Sequence, residues 1–355
     1  MFLQRKIRAT STSSSVPALP TDRLRRLRLA VGAAAIAACL PYATLKVVWL
    51  AGGSVGSASV RGAAELHDAR HTVGNVATLA MVAVAMLLAL ALTHPRGQRL
   101  PPALVLLPVW LGTGLLAPIA LGLPLGLVAQ AIVGGSPAPV DNGLRGWVYV
   151  VVYGGFVVQA SALMAAFVFY ARARWSALLG RRVAELARGK RQRLPLILAR
   201  TAAATAALYG IANLAWAIAG ESLSAPPDFD TATQRALFVS TGLLALAGAF
   251  AVLELLGRRR LRQLPDHLWA PLTPVWIGSA ASFTSGLSQH ALAADAGTHA
   301  STSLILAIGT ISGLLMGAAA LVSTSAARAR SGTGPKPFTT AAAGHRRSAS
   351  CPASR

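Results

Sequence analysis

Leu40 to Gly53 reads L-P-Y-A-T-L-K-V-V-W-L-A-G-G, an apolar helical segment that holds one ammonium group, Lys46. A charged side chain at membrane depth is costly and marks a functional position by default. Helical spacing puts Cys39, Tyr42, Lys46, Trp49 and Gly53 on one stripe, so Lys46 shares the face of Tyr42, directed toward a bundle interior. Three roles stay open for it. Its long stem can snorkel to headgroups beside Trp49, its charge can meet an anion or substrate, or it can take an internal partner. Asn75, Gln159 and Asn213 are the other strongly polar groups in apolar stretches, and interhelical hydrogen bonding is their ordinary use.

H-D-A-R-H, His67 to His71, spaces two histidines at i and i+4, which lets both imidazoles face one metal from a helix. His290, Asp295 and His299 fall on the same side under the topology below, and Glu65 or Asp68 could complete a zinc or copper site; solvated loop histidines are the competing reading. G-G-S-V-G at Gly52 to Gly56 matches the G-x-S-x-G nucleophile pattern, but that pattern works in a strand-turn-helix setting, and here it follows an apolar segment. It reads as a turn. There is no Walker A sequence, and the two cysteines, Cys39 and Cys351, stand too far apart in kind and place for a disulfide framework. The expectation is a protein without enzyme chemistry and without a cofactor.

The elements that would position these groups follow from composition. The chain is 54% hydrophobic and 12% charged, against about 25% charged in soluble domains. Eight segments have the roughly 20 apolar residues that a helix needs to cross a bilayer: about 29–52, 72–92, 103–122, 147–171, 201–220, 236–256, 269–292 and 301–324. The expected fold is an all-α, polytopic transmembrane bundle of residues 23–325, with disordered cytoplasmic tails at 1–22 and 326–355. The net charge of +22 does not call for nucleic acid. With the N-terminus inside, 28 of the 33 Lys and Arg fall on the cytoplasmic side and four outside, and seven of the eleven acids fall outside. Both termini then face the cytoplasm of a plasma-membrane protein.

Pro108 to Thr113, P-V-W-L-G-T, matches Pro274 to Ser279, P-V-W-I-G-S, and Ala33 to Leu45 matches Ala202 to Leu214 at nearly the same offset. Q-R-L-P at Gln98 and Gln192 and R-Q-L-P at Arg262 precede later spans. These matches predict a 4+4 parallel repeat, with halves at about 23–171 and 195–325 joined by a basic loop over 172–194. Equivalent Gly- and Pro-interrupted segments point to a transport path, so Tyr42, Lys46, Pro108, Trp110, Gly112, Pro274, Trp276 and Gly278 are candidate cavity residues; close helix packing through small residues is the alternative. A small-solute transporter or channel predicts a polar cavity between spans one, three, five and seven, whereas a non-transporting scaffold or partner subunit predicts dry packing there. Arg172, Arg174, Arg181, Arg182, Arg188, Lys190, Arg191 and Arg193, around an apolar stripe of Trp175, Leu178, Leu179, Val183 and Leu186, read as an amphipathic helix that meets anionic lipid on the cytoplasmic face.

L-P-Y-x-x-L-K-x-x-W, P-V-W-x-G-T-G-L-L-A-P-I-A-L-G and Y-G-G-F-V-V-Q at Tyr153 to Gln159 resemble a family of multi-pass membrane proteins of actinobacteria over roughly residues 24–325. The resemblance implies a topology and a compartment, and no chemistry.

Overall fold

The computed structural model describes residues 21–134, 143–183, 193–226, 231–255, 266–293 and 299–331. Among these, the chain forms α1 (Thr21–Leu50), α2 (Val60–Glu65), α3 (Ala69–Thr93), α4 (Pro102–Val133), α5 (Gly146–Leu179), α6 (Arg193–Ala219), α7 (Ala232–Glu254), α8 (Trp269–Ala293) and α9 (Ala300–Ser331). Two isolated bridges, Ser57 with Leu144 and Arg182 with His267, tie connections at the two ends of α5. Seven helices, α1, α3, α4, α5, α6, α7 and α9, are long and apolar enough to cross a membrane, the arrangement of a multi-pass membrane protein. The expected eighth span, α8, has 25 residues, enough at about 1.5 Å each to cross a core of roughly 30 Å. Its prolines, serines, threonines and Gln289 dilute its hydropathy, so composition alone does not mark it.

Local chemistry sets the helix ends. Asp68 caps α3 by accepting from the His71 backbone N–H, and Thr231 with Gln234 forms a reciprocal capping box on α7. The Gln98 motif places Pro101 at the cap of α4 and Pro102 at its first position, where a missing N–H costs nothing. Gly134 ends α4 at φ +86°, a conformation that glycine adopts freely.

Several expectations change here. Pro108, Pro118 and Pro124 lie inside a continuous α4 and Pro274 inside a continuous α8, so the prolines do not unwind the chain; Ser240 of α7 ties the two helices together here by donating to the Pro118 carbonyl at 2.9 Å. α5 runs on to Leu179, with non-helical backbone only at Trp175, so Arg172 and Arg174 belong to the end of a long helix rather than to a loop, and the predicted stripe is broken at its first member. α9 likewise runs past residue 325 to Ser331.

The two sets of four long helices pack in one pattern with one difference. In the second, α6, α7, α8 and α9 close a ring, each along the next and α9 back on α6. In the first, α1 packs on α3 and α5, and α5 on α4, but α3 and α4 barely touch. α4 turns instead to α7 and α8 and joins the two sets.

Candidate functional site

The two P-V-W motifs face one another across the α4–α8 crossing. Trp110 Nε1 donates to Ser279 Oγ at 2.9 Å, and Trp276 Nε1 donates to Thr113 Oγ1 at 3.4 Å. The third residue of each motif thus reaches the sixth residue of the other, the exchange that a two-fold relation produces. Gly114 sits where a Cβ would lie 2.3 Å from the carbonyl oxygen of Ala280, one residue past the matching motif. Thr113 and Ser279 are buried, so the clasp is dry. Removing either acceptor leaves an indole N–H unpaired, and bonds of this kind between membrane helices contribute about 0.6 kcal/mol on average. Ser279→Ala is expected to lower the melting temperature of the detergent-solubilised protein by about 1–3 °C, and Thr113→Val by less because its bond is longer; scanning calorimetry of both variants checks the order.

The matching glycines behave differently. Gly278 of α8 is packed on α7, where an added Cβ would lie 2.5 Å from Leu244 O and 2.8 Å from Gly248 Cα. Gly112 of α4 has nothing within 4 Å of the same added atom. It faces a cavity of about 1020 Å³, at the upper end of the ~300–1,000 Å³ usual for ligand pockets. The walls are α3 from Thr78 to Leu92, α4 from Leu107 to Leu121, and α5 from Phe156 to Phe167, with Tyr42 of α1 at one end and Phe283 of α8 behind. Each of the first two stretches rises about 21 Å, longer than the roughly 15 Å of a single leaflet's hydrocarbon. The lining is overwhelmingly apolar. Met81 and Val84 on α3 and Leu107 and Leu121 on α4 are 45–57% exposed, so the cavity opens sideways between these helices.

The eight predicted cavity residues therefore divide. Tyr42, Pro108 and Gly112 line it. Trp110 and Trp276 form the clasp, Trp276 stacks on Phe167 at 5.4 Å, and Pro274 and Gly278 close the α7–α8 crossing. This cavity differs from the polar path anticipated between spans one, three, five and seven: it is apolar, and α6 contributes no wall to it. The stretch of α3 that corresponds to Gly248 by the repeat offset, about residues 79–82, contributes Ala80, Met81 and Val82 to the wall.

Lys46 stands beside this cavity, half-buried. Its Nζ donates to Asn75 Oδ1 at 2.7 Å and lies 5.0 Å from the ring centre of Tyr42 and 4.8 Å from that of Trp49. Asn75 is 4% exposed. An amide partner carries no charge, and among the described residues no carboxylate pairs with the ammonium. The lysine is thus neither extended to the surface nor neutralised. Tyr42 meets Phe156 edge-on at 5.0 Å and Tyr153 meets Phe156 at 6.0 Å, an aromatic ladder that holds the α1–α5 face below the ammonium.

Of the amides that the sequence singled out, Asn213 donates to its own helix at Tyr209 O. Gln159 borders the cavity at 5% exposure, with no side-chain hydrogen bond among the described residues. Sequence reasoning flagged it as a helix–helix glue, and its residue type could not reveal that it faces a void.

The histidines do not assemble. α2 ends at Glu65 and α3 begins at Ala69, so the i, i+4 spacing of His67 and His71 spans a break between helices. His67 Nδ1 sits 2.7 Å from Ala63 O and His71 Nδ1 2.9 Å from Asp68 Oδ1. The His71 backbone N–H, then its ring, hold the Asp68 carboxyl below the usual carboxylate range. Among the described residues no group of three or more potential ligands comes together; His290 and His299 are exposed, and Asp295 lies outside the described residues.

The basic residues also separate. Arg174 donates to Tyr170 OH and to Leu100 O, sealing α5 against the α3–α4 connection instead of reaching outward. The Arg181 carbonyl accepts from Leu268 N, and Arg182 pairs with His267 through the backbone bridge. Arg188, Lys190 and Arg191 lie outside the described residues, as do Arg262 to Pro265; Arg193 opens α6.

No known protein family, curated protein or solved structure matches the chain.

Proposed function

We propose that the chain is an eight-span plasma-membrane protein with both termini in the cytoplasm, built as a 4+4 parallel repeat, and that it binds a membrane-soluble, largely hydrocarbon molecule between α3 and α4. The observation that carries the binding function is the unequal fate of one motif. The glycine that closes a helix crossing in the second half opens onto a large cavity in the first, with the residue type unchanged. Reciprocal bonding of Trp110 with Ser279 and Trp276 with Thr113 supports the repeat, and the charge asymmetry of the connections supports the orientation. The apolar wall turns the transporter reading away from hydrated solutes, whose paths need polar lining, and toward molecules that enter from the bilayer between α3 and α4. The closed ring of α6 to α9 supports a purely structural role for the second half, as a scaffold against which α4 is held.

Gly112→Phe tests this directly. The new ring starts from a Cβ with free space around it and projects into the cavity between α3 and α4, and phenylalanine is a better helix former than glycine. The variant is expected to melt no lower than the wild type and to retain at least about tenfold less hydrophobic ligand, a loss of ~1.4 kcal/mol or more. Native mass spectrometry of both proteins, released from the same detergent, reads bound lipid directly. Equal retention in a folded variant would remove the cavity as the site.

A further inference from the structure

We infer that the occupant of the α3–α4 cavity is an anionic diacyl phospholipid, with its phosphate on Lys46 and Asn75 and an ester carbonyl on Gln159; this rests on the cavity reading above. Three independent features converge on such a molecule. The first is the hydrocarbon wall, longer than one leaflet and open sideways to the surface that lipid would cover. The second is a charge at its end. Lys46 lies one turn from Tyr42, which lines the cavity, and its ammonium is 5.0 Å from that ring. Asn75 occupies only one of the three donor positions of the ammonium, and no carboxylate among the described residues compensates it. A half-buried, uncompensated cation favours an anion, and the tyrosine and tryptophan faces that flank it hold it in place without neutralising it.

The third feature is the depth of Gln159. Phe156 is level with Tyr42, so Gln159 lies a further turn down α5, and its Cα is roughly 10 Å below that of Lys46 along the axis. It is the one nine-tenths-buried polar side chain on the wall without a hydrogen bond among the described residues; Thr113 and Thr284, by contrast, donate to their own helices. An amide N–H in hydrocarbon surroundings without an acceptor is unfavourable, and a ligand that brings one is selected. A diacyl phospholipid carries ester carbonyls one to two helical turns beyond its phosphate. A long-chain isoprenoid phosphate carries only hydrocarbon there, so Gln159 discriminates between the two.

The test uses the full chain in nanodiscs of phosphatidylcholine doped with phosphatidylglycerol, in either its ester-linked or its ether-linked form, followed by native mass spectrometry of retained lipid. For the wild type, ester-linked phosphatidylglycerol is expected to be retained about tenfold over phosphatidylcholine, because the choline of the latter already neutralises the phosphate that Lys46 would meet. Lys46→Met should erase that preference while hydrocarbon retention persists, and Lys46→Arg should keep it. Gln159→Leu should abolish the advantage of the ester over the ether form and leave the charge preference intact. Gly112→Phe should lower the retention of every lipid about tenfold. If Gly112→Phe blocks retention but the wild type shows no preference for the anionic head, the headgroup assignment falls and the cavity stands. A preference shared equally by ester- and ether-linked lipid would overturn the assignment of a diacyl lipid and favour an isoprenoid phosphate. Retention that Gly112→Phe leaves unchanged would overturn both readings. The wild-type comparison between headgroups decides the matter even where the Lys46→Met variant folds poorly.

Discussion

Leucine in place of Gly114 is expected to part the two halves of the protein. A Cβ at this position would lie 2.3 Å from Ala280 O and 2.6 Å from Ala280 C, and these are backbone atoms of a buried helix that no rotamer change can move. Thr284 Oγ1, at 2.5 Å, is the only neighbour among the nearest three able to turn aside. Even alanine therefore forces α4 and α8 apart, and leucine adds branches to a crossing without space. Overpacking a core costs about 1–3 kcal/mol where neighbours can adjust; here they cannot, and the Trp110–Ser279 and Trp276–Thr113 bonds on either side would be stretched together. Gly114→Leu should lower the melting temperature by roughly 10 °C or more, or yield only aggregated protein. Gly114→Ala should fall between it and the wild type. A leucine variant that elutes as the wild type and melts within a degree of it would show that the α4–α8 crossing does not hold the halves.

What was legible beforehand was legible for a physical reason. A helix in hydrocarbon must satisfy its own backbone, so length and hydropathy report spans almost directly, and seven of the eight expected segments appear as membrane-capable helices. α8, expected from the length of its apolar stretch like the others, is not among the seven because its serines and threonines lower its hydropathy; several of them, Ser279, Ser282 and Thr284, are buried within the bundle, where polarity carries no cost against lipid. Spacing marks the prolines of α4 and α8 as interruptions, but it cannot show whether a helix runs on through them, as it does at Pro108, Pro118, Pro124 and Pro274. The His67 and His71 spacing failed because Asp68, lying between them, is a cap that starts a new helix. Lys46 was recognised as unusual from its type alone, but its neutral partner Asn75, on another helix, depends on a tertiary contact that no local pattern encodes. Gln159 is the sharpest case. Its amide looks the same in sequence whether it bridges helices or borders a cavity, and only the separation of α3 from α4 decides which.

That separation leads to the second large effect. Gly278→Leu is expected to disrupt the protein, whereas Gly112→Leu, the same exchange at the same motif position, is expected to be tolerated. At Gly278 the new side chain would meet Leu244 O at 2.5 Å and Gly248 Cα at 2.8 Å, in a crossing where two glycines let α7 and α8 touch along their backbones. Relief would require opening the ring of α6 to α9, which buries the largest contiguous apolar cluster, from Ala199 to Ala319. A cost at or above the ~3 kcal/mol end of overpacking follows, with a melting temperature lower by about 10 °C. At Gly112 the side chain enters open space, and the helix gains the roughly 0.5–1 kcal/mol that glycine forfeits. Thermal melts of the two variants, measured side by side in one detergent, read the difference. Equal destabilisation would mean that α3 closes on α4 as tightly as α7 on α8 once hydrocarbon surrounds the bundle, and the cavity would then be lost with the asymmetry that creates it. A wide gap between them means that the two halves hold one motif in two packings, one used to seal a scaffold and one to keep a hydrocarbon-lined gap open.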